Sequence, residues 1–363
     1  MRISPELLNL VPYKPGKPIS ETQREYGLTQ IIKLASNENP LGPSPLAQKA
    51  ISLALASQHL YPDPTHFKMI ETVSEKWKVR KQNLGFGNGS DELIDLLCRI
   101  YCEPGQAVLT IHHAFAAYEI SAAANRAKVI KANPEDLIET YQKNKAQVRL
   151  IFVPNPNNPT GSYINKTQVQ QLIESVKGEE VLVIFDEAYN EFARAHDYVS
   201  AQNFFDPQGQ VVILRTFSKA YGLAGLRVGA MIAPDSTVDI FNRIRKPFNV
   251  NDLAQVALVA ALQDESFMKK TQEITWKGLD YFYIQFEKLK LPYFKSQGNF
   301  VLFDTRRDAK LVFEGLLKKG VILRPVANYG FPKHLRISVG LESENQMALE
   351  ALEKVLHEVP EDV

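Results

Sequence analysis

Apolar positions along the chain follow two periods that take turns. From Pro104-Gly105 onward, short apolar runs that read as buried strands alternate with stretches whose apolar residues fall three and four apart, as on one face of a helix. The runs predict strands over 107–111, 128–132, 148–153, 181–185 and 211–214, and the spaced stretches predict helices over 118–126, 134–143 and 166–176. Strand and helix in alternation imply a mostly parallel sheet covered on both faces. Residues 227–232 read as one further strand.

Beyond Pro234 the pattern changes. Helices are predicted over 238–245 and 252–262, and a long one over 265–290 would span roughly 39 Å, enough to bridge two domains. A compact α+β unit follows, with strands over 299–304, 321–324 and 335–339 and helices over 309–319 and 343–358. Ahead of the alternating region, the first 35 residues carry Pro12, Pro15, Gly16 and Pro18, so no regular element runs through them. They read as an arm, either an ordered tail or a dimer or lid element, ending in a short strand over 31–34. Helices over 46–56 and 66–77 come next, then a glycine-rich loop at Gly85 to Gly89 and a helix opened by Ser90-Asp91-Glu92. The expected division is an arm with a small-domain strand over 1–38, a large domain over 39–264 and a small domain over 265–363. No internal repeat is apparent.

Composition adds exclusions. The 363 residues are 45% hydrophobic and 23% charged, with 42 Lys and Arg against 41 Asp and Glu and a formal charge of +1. That balance argues against a nucleic-acid or membrane-surface partner. No apolar core of signal-peptide length opens the chain, no run of about 18 apolar residues occurs, and a cytoplasmic protein is the expectation. Cys98 and Cys102 stand four apart on a predicted helix, with His112-His113 the only nearby ligand candidates. Two buried apolar cysteines in a reducing compartment account for them, and no metal is expected.

The candidate chemistry lies just past the predicted strands, where open α/β sheets keep their ligands. Arg215 to Gly229 reads R-T-F-S-K-A-Y-G-L-A-G-L-R-V-G and puts Lys219 in a Ser/Gly-rich loop after the run Val211-Val212-Ile213-Leu214. A lysine that forms an imine needs a close-fitting backbone, which Gly222, Gly225 and Gly229 supply. Thr216 and Ser218 can bind an anion, and Arg227 can hold a phosphate with its planar fork. V-L-V-I-F-D-E-A-Y delivers Asp186 and Tyr189 to the same edge, and L-I-F-V-P-N-P-N-N-P-T-G ends another strand in a Pro/Asn turn. The loop G-F-G-N-G before Ser90 can feed backbone N-H groups to an anion. It lacks the spacing of a dinucleotide fingerprint, no clear strand precedes it, and no Gly-Lys-Ser/Thr follows.

This constellation resembles the pyridoxal-phosphate aminotransferases of the aspartate-aminotransferase fold. The resemblance is most specific to the histidinol-phosphate aminotransferase family within class II. It is carried by Pro12-Tyr13 with P-G-K-P, L-A-S-N-E-N-P-L-G-P-S-P from Leu34, Y-P-D at Tyr61, G-N-G-S-D-E from Gly87 and L-R-I-S-V-G from Leu335. It implies a large domain built on a mostly parallel seven-stranded sheet, one member antiparallel, plus a smaller α+β domain. It also implies pyridoxal 5'-phosphate as cofactor, with Lys219 as Schiff base and proton shuttle, Asp186 under the pyridine nitrogen, and Asn158 and Tyr189 at the phenolic oxygen. The phosphate would fall to Gly89, Ser90, Asp91, Thr216, Ser218 and Arg227, with Tyr61 reaching in from the second subunit of a homodimer. Arg336, Arg324, Tyr13 and Asn37 would hold substrate: histidinol phosphate, or the partner pair glutamate and 2-oxoglutarate.

One stretch departs from the familiar pattern. Many family members have Pro-Pro-Thr-Tyr, with the tyrosine stacked on the cofactor, where this chain reads His112-His113-Ala114-Phe115. Phe115 can still stack, since stacking uses the ring face, but the lost hydroxyl makes aromatic amino acids more plausible amino donors. An aromatic amino-acid transaminase therefore stands as an alternative on the same scaffold. So, less favoured, does a decarboxylase of a phosphorylated amino acid, since a similar aldimine can lose carbon dioxide if the scissile bond is turned perpendicular to the ring. A non-enzymatic cofactor sensor would need a DNA-binding domain, for which the arm is too short.

Overall fold

A computed structural model describes residues 5–8, 10 and 16–361. Seven strands form one sheet in the order Leu84–Gly87, Gly229–Ile232, Val211–Thr216, Leu182–Asp186, Val148–Pro154, Ala107–Ile111 and Lys128–Ala132. Gly229–Ile232 runs antiparallel to both neighbours and every other pair is parallel. Consecutive side chains of a strand point to opposite faces. In Ala107–Ile111, Leu182–Asp186 and Val211–Thr216 all of them are buried, so both faces of the sheet are covered.

The seventh strand, Leu84–Gly87, lies where the sequence reads as a glycine-rich loop. Glycine weakens a strand, but here the lack of a side chain is what the packing requires. A Cβ on Gly85 would stand 2.5 Å from Met231 Cε, and one on Gly87 would stand 2.9 Å from Leu93 Cγ. Tertiary packing thus overrides propensity. The expected strand over 227–232 is shorter, since Arg227 lies outside it with φ 57°. The arm also holds a helix that the sequence reading passed over, Ile19–Tyr26, ended by Gly27 in the left-handed conformation.

A second, smaller sheet is antiparallel, in the order Arg324–Pro325, His334–Ser338, Phe300–Asp304. The single strand expected over 321–324 is broken at Leu323. Val321–Ile322 pairs in parallel with Ile32–Lys33 from the start of the chain, while Arg324–Pro325 pairs with His334–Ser338. The helix Glu265–Lys288, roughly 36 Å long, links the two parts. Near its start Thr271 Oγ1 accepts from Asn39, and Trp276 Nε1 donates to the Phe192 carbonyl at 2.8 Å. Its later residues Leu279, Phe282 and Phe286 enter a separate apolar core with Val301, Phe303 and Leu352.

The loop after Val211–Thr216 is packed tightly against the turn at Gly42. Gly222 has φ +69°, and a Cβ there would lie 2.2 Å from the Gly42 carbonyl oxygen. Backbone on both sides leaves nothing free to move. Gly222→Ala is expected to cost about 1–3 kcal/mol, read as a lower urea midpoint at constant slope. An unchanged midpoint would show that the loop is not held there.

Candidate active site

The strand ends build one wall of a cavity of about 450 Å³. Asp186 ends Leu182–Asp186, Thr216 ends Val211–Thr216 with Ser218 and Lys219 just beyond, and Asn158 follows Pro154. Alternation along the strands sends the neighbours Glu187 and Arg215 to the other side. There the Arg215 guanidinium donates to the Glu187 carboxylate at 2.9 Å, over the face of Trp77, and Ser200 and Ala201 N-H also donate to Glu187. That buried pair ties together the two strands that present Asp186 and Thr216.

The small sheet builds the opposite wall. Arg324 and Arg336 are partners in the antiparallel register, so both side chains leave the same face, and both line the cavity. Like charges directly opposite on a sheet repel. Arg336 is held by the Ala35 carbonyl at 2.7 Å and by the Asn158 Oδ1, with its guanidinium 5.2 Å over Phe300.

Each central group is perturbed for an identifiable reason. The Lys219 amine, partly buried, donates to the Ser36 carbonyl at 3.0 Å. Burial first, and Arg336 second, bring its pKa down to about 8. Burial drives Asp186 up to about 6, against hydrogen bonds from the Tyr118 hydroxyl at 2.7 Å and the Ala188 N-H at 3.1 Å. Burial likewise pushes Tyr189 to about 12, opposed by Arg336 and by Asn37, whose Nδ2 donates to the phenol oxygen at 2.9 Å.

At the far end of the cavity, the helix Ser90–Tyr101 begins with no side-chain cap at Gly89. Free N-H groups there attract an anion. Thr216, Ser218 and Arg227 stand beside it, Arg227 donating to Ser218 Oγ at 3.3 Å and to Asp91 at 2.9 Å. The backbone conformation requires Gly89, φ +78° and ψ 169°, and the Arg227 guanidinium packs over it, with Nη2 2.5 Å from where a Cβ would stand.

Of the residues singled out in the sequence, Lys219, Asp186, Tyr189, Asn158, Ser90, Asp91, Phe115, Thr216, Ser218, Arg227, Arg324, Arg336 and Asn37 all line this cavity. Gly89 caps its helix. Tyr61 does not reach the cavity of its own chain: it is 82% exposed and stacked on Phe248 with ring centroids 4.6 Å apart. Tyr13 lies outside the described residues. Tyr118 and the Ser36 carbonyl were missed. Only the spacing of Tyr118 one helical turn after Phe115 hinted at the first, and nothing local marks the second.

The cavity suits a pyridoxal phosphate. Four cations line it against two carboxylates, which calls for anionic groups. Asp186 is buried, and among the described residues no lysine or arginine forms an ion pair with it, so a protonated ring nitrogen would complete it. The uncapped helix start and the Gly89–Arg227 cradle suit a phosphate.

A model of the family described as aminotransferase class I and II matches residues 29–352. The chain belongs to that family. This aminotransferase is 58% identical to a histidinol-phosphate aminotransferase of Bdellovibrio bacteriovorus, over 99% of each chain. It is 42% identical to one of Caldicellulosiruptor saccharolyticus, over 95% of this chain and 97% of that one. Among solved structures, histidinol-phosphate aminotransferase from Sinorhizobium meliloti in complex with pyridoxal-5'-phosphate superposes with a TM-score of 0.89 at 24% identity, covering 98% of both chains. Aspartate aminotransferase of Thermus thermophilus with maleate superposes at 0.82 and 20% identity, over 98% of this chain and all of that one. These two matches establish the fold, that of the aspartate aminotransferases.

The lowered pKa of Lys219 carries a stability cost with a definite sign. Between about pH 8 and 10.5 the unfolded chain binds a proton at this lysine that the folded chain does not, so folding gains stability as pH rises through that window. At neutral pH the folded cofactor-free aminotransferase bears the full cost. Lys219→Met is expected to stabilise it at pH 7 by about 1–3 kcal/mol, with the gain fading towards pH 10. Urea unfolding of both proteins at the two pH values measures this, and an equal difference at both would refute the shift.

Proposed function

We propose that the chain transfers an amino group between histidinol phosphate and 2-oxoglutarate, giving imidazole acetol phosphate and glutamate. It would work with pyridoxal 5'-phosphate, as a cytoplasmic homodimer. The observation that carries this reading is the pair Arg324 and Arg336, opposite each other on one face of the small sheet and across the cavity from Lys219. Two guanidiniums on one wall and a separate phosphate cradle on the other suit a cofactor and a substrate that are both anionic. The 58% identical relative, matched end to end, bears the corresponding name.

When bound, pyridoxal phosphate supplies an electron-withdrawing ring that makes the proton on the substrate's α-carbon removable. Lys219, with a pKa near 8, keeps a neutral fraction at neutral pH, so its amine would serve as the base for that proton and as the acid that gives one back. Asp186 would face the ring nitrogen and favour its protonated form. Asn158 and Tyr189 would hold the ring hydroxyl, and both are fixed from outside: Asn158 by Arg336, Tyr189 by Asn37. Asn37 is itself locked to the small sheet, its N-H donating to Ser338 Oγ at 2.9 Å and its carbonyl accepting from Asn299 at 3.1 Å. Phe115 lines the cavity and would offer its ring to the cofactor.

Histidinol phosphate places its phosphate near where glutamate places its α-carboxylate, and Arg336 can serve both. Arg336→Lys, which keeps the charge and loses the fork, is expected to slow both half-reactions by about 1.5 to 3 kcal/mol. Arg324→Gln is expected to slow the histidinol phosphate half-reaction more than the glutamate one. Single-turnover absorbance of each half-reaction tests both. Equal losses for Arg324→Gln would end the division of labour, and amino transfer from aromatic amino acids but not from histidinol phosphate would replace the substrate assignment.

The dimer reading rests on an exposed apolar stretch, Leu53, Leu55, Leu60, Tyr61 and Phe67, which a second copy would cover. Tyr61 would then reach the partner's phosphate cradle. Mixing Lys219→Ala chains with Tyr61→Phe chains is expected to restore activity, because one site of each hybrid carries neither defect. No recovery after verified subunit exchange would assign Tyr61 to its own chain.

A further inference from the structure

We propose that Tyr118 is a positioning residue for Asp186, its phenol fixing the orientation and charge of the carboxylate that faces the ring nitrogen. The inference rests on the pyridoxal-phosphate reading above and concerns a residue that reading does not use.

The geometry is specific. Tyr118 is 1% exposed, on the helix Ala117–Ala124, and its ring stacks on Phe152 at 4.8 Å with 9° between planes. Phe115 meets the same ring edge-on at 6.0 Å and 90°. With the ring clamped on two sides, its hydroxyl has one direction, and it donates to Asp186 Oδ2 at 2.7 Å. Asp186 Oδ1 takes the Ala188 N-H at 3.1 Å. A donor on each oxygen fixes the carboxylate plane. A buried phenol needs a partner, but a carboxylate gains more than packing from it, because a hydrogen bond to the charged form favours that form.

The surroundings show why this support matters. The charged and titratable groups that act on Asp186 are Asp91 from the helix Ser90–Tyr101, Glu187 and Tyr189 from its own turn, and Tyr118 itself. Asp91 and Glu187, like burial, favour the neutral acid. Against them stand the Tyr118 hydroxyl, the larger opposing effect, and the Ala188 N-H. Without the phenol the carboxyl would hold its proton to higher pH. Binding a ring with a protonated nitrogen would then require that proton to leave, so affinity would fall earlier as pH drops.

The test is a fluorescence titration of the cofactor-free full chain with pyridoxal phosphate, wild type against Tyr118→Phe, from about pH 5.5 to about pH 8.5. Phenylalanine keeps both ring contacts. The expected loss of affinity is on the order of tenfold at about pH 5.5, closing to within about twofold at about pH 8.5. A loss equal at every pH reflects packing alone and overturns the proposal, as does no loss at all. Incorporation of 2,3-difluorotyrosine at position 118, a stronger donor of nearly the same shape, is expected to move the fall-off to lower pH. A shift in the same direction as Tyr118→Phe, or none, also overturns it. Failure of the wild-type chain to bind pyridoxal phosphate at any pH would instead remove the cofactor reading on which the inference stands.

Discussion

An amine that must lose its proton near neutral pH has to be kept from water and beside positive charge, and the arrangement around Lys219 follows from that constraint. Its loop is held down by packing against the Gly42 turn, which only a glycine at position 222 allows, and leaves the amine partly buried. Positive charge comes from Arg336, which the small sheet delivers from the other side of the cavity. The amine therefore senses both sheets. A shift of either relative to the other changes the pKa of the group between them, so the contacts that join the two sheets bear on chemistry as well as on stability.

Several of those joining contacts are polar. Arg336 to Asn158, Asn37 to Tyr189 and Lys219 to the Ser36 carbonyl all cross the cavity or its rim. Arg336, Asn37 and Tyr189 are buried and the other three half-buried, and removing a partner from one of the buried groups strands it at roughly 1–3 kcal/mol. Behind the wall, Arg215 and Glu187 bear a similar dependence, with Glu187 fully buried. Such a pair adds little net stability compared with apolar residues, but losing one member leaves an uncompensated buried charge. Its consequence is alignment: the strand ends that carry Asp186 and Thr216 are held in register by a contact on the opposite face.

What could be read from sequence depended on whether the governing contact was local. Lys219, Asp186 and Asn158 were legible because each follows an apolar run that can only be a buried strand, and a parallel sheet gathers its strand ends at one edge. Arg324 and Arg336 were legible through family resemblance, but their direct opposition across the small sheet was not, since register joins residues far apart in the chain. The strand Leu84–Gly87 was hidden because two glycines suppress its local signal while Met231 and Leu93 demand them. Tyr118 was hidden too: its partner Asp186 lies 68 residues away, and its helix otherwise carries mostly small residues.

The stretch His112-His113-Ala114-Phe115 shows how a local departure can leave a site intact. His113 has φ 58°, a conformation closed to proline, whose ring holds φ near −65°, so the Pro-Pro version of this turn cannot follow the same path. A left-handed histidine costs about 1 kcal/mol or more, and the surroundings offset it. The ring Nδ1 bonds the Tyr329 carbonyl, the ring packs 4.5 Å from Phe331, and Asn157 donates to the His113 carbonyl at 3.3 Å. Gly330 makes room, since a Cβ there would stand 2.7 Å from the imidazole. Histidine thus ties the loop to the segment beyond Arg324, an attachment proline has no polar side chain to make. Phe115 still lines the cavity two residues later. The turn thus has a tertiary anchor in place of a proline's backbone rigidity, tying the loop that carries Phe115 to the segment between Arg324–Pro325 and His334–Ser338.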